Sequence, residues 1–270
     1  MKILVTGSNG FIGKNLCLFL KERQYEVLGF DRNTKESLES LVNECDFVMH
    51  LAGINRPKEE SEFNTGNVGL TEELINLLKK SGRKIPLLLS SSIQAERDNP
   101  YGRSKKEAED VVFAYGKETG ANVYVFRLDN AFGKWCRPNY NSVVATWCYN
   151  IAHDLPIQIN DESVVIPFVY IDDVVSEIIS AINNRPNYDE IDKCYKALPI
   201  YNISLKELKD NLYAFYNQRN TLIIPDLSNE FTKKLYSTYL SYLPEDKIAI
   251  SLNTKVDNRG SFTELIKTNN

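Results

Sequence analysis

An α/β fold built on a doubly wound parallel sheet is what this sequence predicts, on three observations. Short apolar runs alternate with helix-period segments through the first half of the chain. A glycine-spaced turn joins the first apolar run to the first helix. The 270 residues, 43% hydrophobic and 25% charged, suffice for one substantial core with a small appended unit. Such alternation gives a parallel sheet with helices on both faces and ligands at the carboxyl ends of its strands.

The first strand covers 3–6 and runs into Thr6-Gly7-Ser8-Asn9-Gly10-Phe11-Ile12-Gly13, which opens a helix over 11–22. Gly7 allows the tight turn, Gly10 lets backbone approach a pyrophosphate, and Gly13 lets the helix sit close on the sheet, with Phe11 and Ile12 opening it. Strand, spacing and helix together read as a Rossmann-like dinucleotide site. A strand over 26–30 follows, then helix 35–44, strand 47–51, helix 68–80, strand 85–90, helix 101–118 and strand 123–127. At the end of the second strand stands Asp31-Arg32-Asn33-Thr34-Lys35. Asp31 suits a ribose hydroxyl, whereas Arg32 and Lys35 suit a 2′-phosphate, so these residues give mixed signals. Between 31 and 47 there is room for a helix but hardly for the usual further strand, so the adenine contacts have no clear counterpart.

Past Gly133 the rhythm breaks into a polar, aromatic loop over 134–141, followed by helix 142–152, strand 164–171 and helices over 172–183, 204–216 and 229–239. The expected organisation is a cofactor domain over 1–133 and a small substrate-binding subdomain over 134–256, interleaved with the sheet through strand 164–171. The stretch 257–270 reads as a turn into an unpaired strand, the start of a further, missing domain.

A formal charge of −4 and a pI near 5.5 provide no basic face for nucleic acid. No apolar run approaches a membrane span and the N-terminus leads straight into a strand, so a cytoplasmic protein is expected. Five cysteines without a CxxC pattern read as free thiols. His50 and His153 lack clustered carboxylates, so no metal is expected, and His50 reads as a strand-end residue closing a hydrogen bond.

The chemistry resides in Ser90-Ser91-Ser92 and in Tyr101-Gly102-Arg103-Ser104-Lys105 at a helix start. Residues four apart share a helical face, so the Lys105 ammonium sits beside the Tyr101 phenol. A cation there is expected to lower the phenol pKa by about two to three units, into the range useful for proton transfer. Ser92 then hydrogen-bonds a substrate oxygen.

TGSNGFIG, HLAG, SSS and YGRSK, in that order, resemble the extended short-chain dehydrogenase/reductase superfamily, whose members act on nucleotide sugars. More closely, HLAGINRP, Ser90 to Gln94, FGKWC, PNYNSV and YSTYLSYLP are similar to bifunctional capsular-polysaccharide enzymes. In that family a C-terminal cupin epimerises a UDP-4-keto hexosamine at C3 and the N-terminal domain reduces the C4 ketone. The product is UDP-2-acetamido-2,6-dideoxy-L-talose, a precursor of UDP-N-acetyl-L-fucosamine. The resemblance implies a catalytic trio of Ser92, Tyr101 and Lys105. It implies cofactor contacts from Leu51, Ala52 and Gly53 beside the glycine turn, and from Tyr101 and Lys105. Added to the charges of Arg32 and Lys35, the resemblance favours NADPH, with NAD the alternative. Asn130, in an RxxN pattern from Arg127, and Asn141 match substrate contacts; Arg56, Lys134 and Arg137 suit a diphosphate by charge. The 257–270 segment resembles the entry to the cupin, whose zinc is then absent too. A homodimer through the helices over 68–80 and 101–118 is expected by analogy. A 4-epimerase that retains NAD is the first alternative, and a non-catalytic nucleotide sensor the second. Dehydration is disfavoured because Ile93-Gln94, not an acid pair, follows Ser92.

Overall fold

The structure, a computed structural model, describes residues 1–268; the last two positions of the 257–270 segment lie outside the described residues. Two compact units divide the chain. One joins Met1–Ala131 to Ile171–Ile200, and the other joins Phe132–Tyr170 to the chain from Tyr201 onward.

The first unit opens with β1 (Lys2–Thr6), α1 (Phe11–Glu22), β2 (Glu26–Phe30), α2 (Leu38–Glu44) and β3 (Phe47–His50). A helical run follows, made of α3 (Ser61–Phe63), a π-helical turn Asn64–Gly69, and α4 (Leu70–Lys80). Next come β4 (Leu87–Ser92), a 3-10 turn Ile93–Glu96, α5 (Pro100–Thr119) and β5 (Val123–Leu128). β6 (Asn130–Phe132), whose last residue opens the second unit, precedes α6 (Val143–Ala152) and β7 (Val165–Tyr170). The chain then adds α7 (Ile171–Ser180), β8 (Tyr188–Asp189), β9 (Cys194–Tyr195), β10 (Tyr201–Ser204), α8 (Leu205–Thr221), α9 (Glu230–Leu240), β11 (Thr254–Asp257) and β12 (Gly260–Thr263).

The main sheet runs β2-β1-β3-β4-β5-β9-β8, parallel except where β8 meets β9. Its inner strands are covered on both faces, which is why Ile3, Leu4 and Val5 are all fully buried. On one face α2, α4 and α5 bring Leu41, Leu74, Leu78 and Val112 against Leu4, Val48 and Leu87. α7 meets α1 elsewhere in the same unit, through an apolar stripe of Val174, Val175 and Ile178.

Several boundaries differ from those read in the sequence, each for a physical reason. β4 starts after Pro86, which has no N–H for the ladder, and so carries Ser91 and Ser92 into register with Arg127 and Leu128 of β5. Strand β7 does not return to the main sheet; it pairs with β10 in a separate sheet of order β10-β7-β6. The return is made instead by β8 and β9, two residues each, below the length at which periodicity is readable. The terminal strand is not unpaired: β12 forms an antiparallel hairpin with β11.

The glycine turn is held by close approach. Gly7 has φ +70, its N–H donates to Phe30 O at 2.7 Å, and a Cβ on it would lie 2.8 Å from Ala52 N. A Cβ on Gly13 would lie 2.1 Å from the Gly7 carbonyl oxygen, so α1 rests on the turn with no room for a methyl. Gly13→Ala is therefore expected to destabilise the fold by about 3 kcal/mol, read as a lower urea midpoint at unchanged m-value.

Candidate active site

Tyr101 stands in the first turn of α5, and the preceding residues set where that turn begins. Asn99 is the N-cap, its side-chain oxygen accepting from Gly102 N at 2.8 Å, and Pro100 supplies the fixed φ of the first helical position. Ser92 closes β4 and caps the 3-10 turn after it, accepting from Gln94 N at 3.2 Å. Ser92 is near enough to the Tyr101 phenol to favour its ionised form, and the Tyr101 ring lies 5.7 Å from that of Phe63, tilted by 53°.

One turn along α5, Lys105 is buried at 7% exposure and donates from Nζ to Ser90 O at 3.1 Å. Its Nζ lies 6.0 Å from the centre of the Tyr101 ring. Burial brings the Lys105 pKa down to about 8, opposed by the Glu109 carboxylate. The Tyr101 phenol is pushed up by burial, opposed by Ser92. This corrects the expected depression: the cation sits by the ring face, with one of its N–H groups turned to Ser90 O, and desolvation dominates at the hydroxyl.

The loop over 51–53 joins this trio to the glycine turn. Leu51 N donates to Thr6 O at 3.2 Å and Ala52 N to Thr6 Oγ1 at 3.2 Å, while a Cβ on Gly53 would lie 3.2 Å from Lys105 Nζ. Gly7, Ala52, Gly53, Lys105, Tyr101 and Ser92 thus form one continuous set within the first unit. Gly10 is the N-cap of α1 with no side-chain cap bond. This narrow, glycine-lined turn at a helix start fits the pyrophosphate of a dinucleotide.

Asp31, Arg32 and Lys35 follow β2, with Arg32 and Lys35 exposed. Asn130 is exposed at the start of β6, two residues past the end of β5. Arg127, three residues before it, is buried and structural: Nε and Nη2 donate to the two Glu109 oxygens at 2.9 and 2.7 Å, and Glu96 takes Nη1. Lys134, Arg137 and Asn141 belong to the second unit, where Lys134 lies over the Trp135 ring at 5.5 Å and Arg137 over Tyr140 at 5.2 Å. Arg56 is exposed on the loop after β3.

The sequence reading missed Asn67, buried in the π turn. Its Oδ1 accepts from Ile54 N at 2.7 Å, and its Nδ2 donates to Ile54 O at 3.0 Å and to Ser104 Oγ at 2.9 Å. Ser104 in turn donates to Tyr101 O at 2.8 Å. His50 sits nearby as a fully satisfied core residue. Thr71 commits its proton to Asn67 O at 2.6 Å, so its oxygen accepts from His50 Nε2 at 3.0 Å. Nδ1 then accepts from the Thr6 hydroxyl at 2.6 Å, which fixes a neutral Nε2–H tautomer.

A glycine turn and a Ser-Tyr-Lys set at the carboxyl ends of a parallel sheet define a dinucleotide-binding α/β protein of the dehydrogenase and epimerase type. The chain belongs to the NAD dependent epimerase/dehydratase family, whose profile matches residues 3–193. It is 47% identical over 270 residues to a UDP-2-acetamido-2,6-beta-L-arabino-hexul-4-ose reductase of Pseudomonas aeruginosa, covering 99% of this chain and 72% of that protein. The crystal structure of the capsular polysaccharide assembling protein CapF from Staphylococcus aureus superposes with a TM-score of 0.92 at 45% identity, covering 99% of this chain and 73% of that one. A UDP-glucuronic acid 4-epimerase from Bacillus cereus in complex with NAD has the same fold, with a TM-score of 0.70 at 22% identity over 79% of this chain and 84% of that one. Among the described residues no helix is long and apolar enough to cross a membrane.

Burial holds the His50 pKa down to about 3, with Lys105 adding to the effect. The folded-state value lies below the unfolded one, so this stability is present above about pH 6.5 and is lost as pH falls toward about 3. Between about pH 7 and about pH 4.5 the wild type is expected to lose roughly 2–3 kcal/mol that a His50→Gln variant does not lose, read from urea midpoints at the two pH values.

Proposed function

We propose that this chain is an NADPH-dependent reductase. It takes the C4 ketone of a UDP-2-acetamido-2,6-dideoxy-4-keto-hexose to UDP-2-acetamido-2,6-dideoxy-L-talose, in the making of a capsular polysaccharide. The identity to the Pseudomonas reductase and the likeness to CapF support the substrate class. The observation that carries the chemistry is the placement of the buried Lys105 beside the Tyr101 ring, 6.0 Å from its centre, with Ser92 acting on the phenol and the 51–53 loop tying the set to the glycine turn.

Reduction of a ketone needs an acid that keeps its proton until the oxygen becomes basic. A phenol raised by burial is such an acid at neutral pH. Bound at the glycine turn, a reduced nicotinamide supplies the hydride. Ser92 donates to the substrate oxygen and holds it against Tyr101, Tyr101 delivers the proton, and the Lys105 ammonium places a positive charge 6.0 Å from the centre of the ring that is left as phenolate. The reading of NADPH over NADH rests on Arg32 and Lys35 after β2; both are exposed, and among the described residues neither makes an ion pair.

Tyr101→Phe is expected to lower kcat by about 10³-fold while leaving NADPH affinity within about threefold, followed as loss of reduced-nicotinamide absorbance with a UDP-4-keto sugar. Because the Lys105 pKa lies at about 8, reduction is expected to slow as pH rises through that value with loss of a single proton. A pH–rate profile flat to about pH 10 removes the lysine from this role.

A further inference from the structure

The turn after β2 treats Asp31 unusually for a residue in the place where a dinucleotide-binding sheet grips a ribose. Its Oδ2 accepts from the Asn9 carboxamide of the glycine turn, and its Oδ1 accepts from Asn33 N at 2.7 Å. Its own backbone is held too: Asp31 N donates to Thr34 Oγ1 at 2.8 Å, and Thr34 N donates to Asp31 O at 3.1 Å. Both carboxylate oxygens are therefore engaged inside the turn, and the side chain's direction is set from two sides. A ribose with free 2′- and 3′-hydroxyls needs that carboxylate as its acceptor. A 2′-phosphate needs the opposite, since a carboxylate left bare beside it repels the dianion, whereas one whose oxygens are turned to two N–H donors within the turn presents less of its charge outward.

Resting on the NADPH reading above, we propose that Asn9 selects the coenzyme. By holding the Asp31 carboxylate, it denies a ribose diol its acceptor and leaves the exposed Arg32 and Lys35 as the charge that meets a 2′-phosphate. Asn9 sits in the gap between the motif glycines, is itself exposed, and donates from Nδ2 to Asp31. It acts as a positioning residue, through Asp31.

The test uses the full chain and needs no sugar: NADPH and NADH are titrated by reduced-nicotinamide fluorescence into the wild type, Asn9→Ala, Asp31→Ser and the double variant. With Asn9→Ala, NADH is expected to bind roughly tenfold more tightly and NADPH several-fold more weakly, because the freed carboxylate turns to the diol. The gain for NADH disappears in the double variant, where the acceptor is gone. The near-isosteric Asn9→Leu is expected to behave as Asn9→Ala, which guards against a local effect of truncation. Unchanged coenzyme selectivity in both Asn9 variants at wild-type Tm overturns the role of Asn9 alone, as does a gain for NADH that survives Asp31→Ser. A wild type that binds NADH as tightly as NADPH overturns the NADPH reading and this proposal with it.

Discussion

One carboxamide fixes the geometry on which the rest of the site depends. Asn67 pairs with both backbone groups of Ile54 and donates to Ser104, whose hydroxyl reaches the carbonyl of Tyr101. Without that clamp the 51–54 loop and the first turn of α5 belong to separate elements, free to shift by the fraction of an ångström that proton transfer does not tolerate. The π turn makes the clamp available. Its extra residue per turn lets buried Asn67 face inward while Thr71, four residues on, bonds its carbonyl.

Beneath the trio lies a second constraint, electrostatic rather than geometric. The Glu109 carboxylate, one turn beyond Lys105, is gripped by the forked guanidinium of Arg127 and by Ser91 Oγ at 2.6 Å. Arg127 and Ser91 are register partners on β5 and β4, so the ion pair pins α5 to the strands that carry the serines. A buried pair of this kind adds little net stability, but losing one partner strands a charge at a cost of about 3–5 kcal/mol. Glu109 also opposes the burial that strips Lys105 of its proton, so one carboxylate both anchors the helix and preserves the nearby ammonium.

What the sequence disclosed, and what it did not, follows from the range of each interaction. The glycine turn and the Tyr101–Lys105 spacing are local, set by residues within two turns, and were legible as a tight turn and a shared helical face. The inner strands were legible because burial on both faces makes them apolar throughout. Asn67 was not, because it stands beside Gly66 just before the helix read over 68–80, and the π turn that buries it leaves no periodic signal in so short a segment. Strands β8 and β9 are too short to show alternation, so the return of 171–200 to the first unit was assigned to strand 164–171 instead. The direction of the Tyr101 shift was misread because desolvation depends on Phe63 and the surrounding core, which spacing along one helix does not report.

The histidine behind the site has a consequence of its own. From Ala52 N–H the donors run in one sense, through the Thr6 hydroxyl to His50 Nδ1, then from Nε2–H through Thr71 to the carbonyl of Asn67. Both ends of this chain are peptide groups, one unable to take up a proton and the other unable to release one. The row is therefore a dead-ended wire: it stiffens the floor under Lys105 as a frozen dipole and offers no path along which a hydrogen ion could travel.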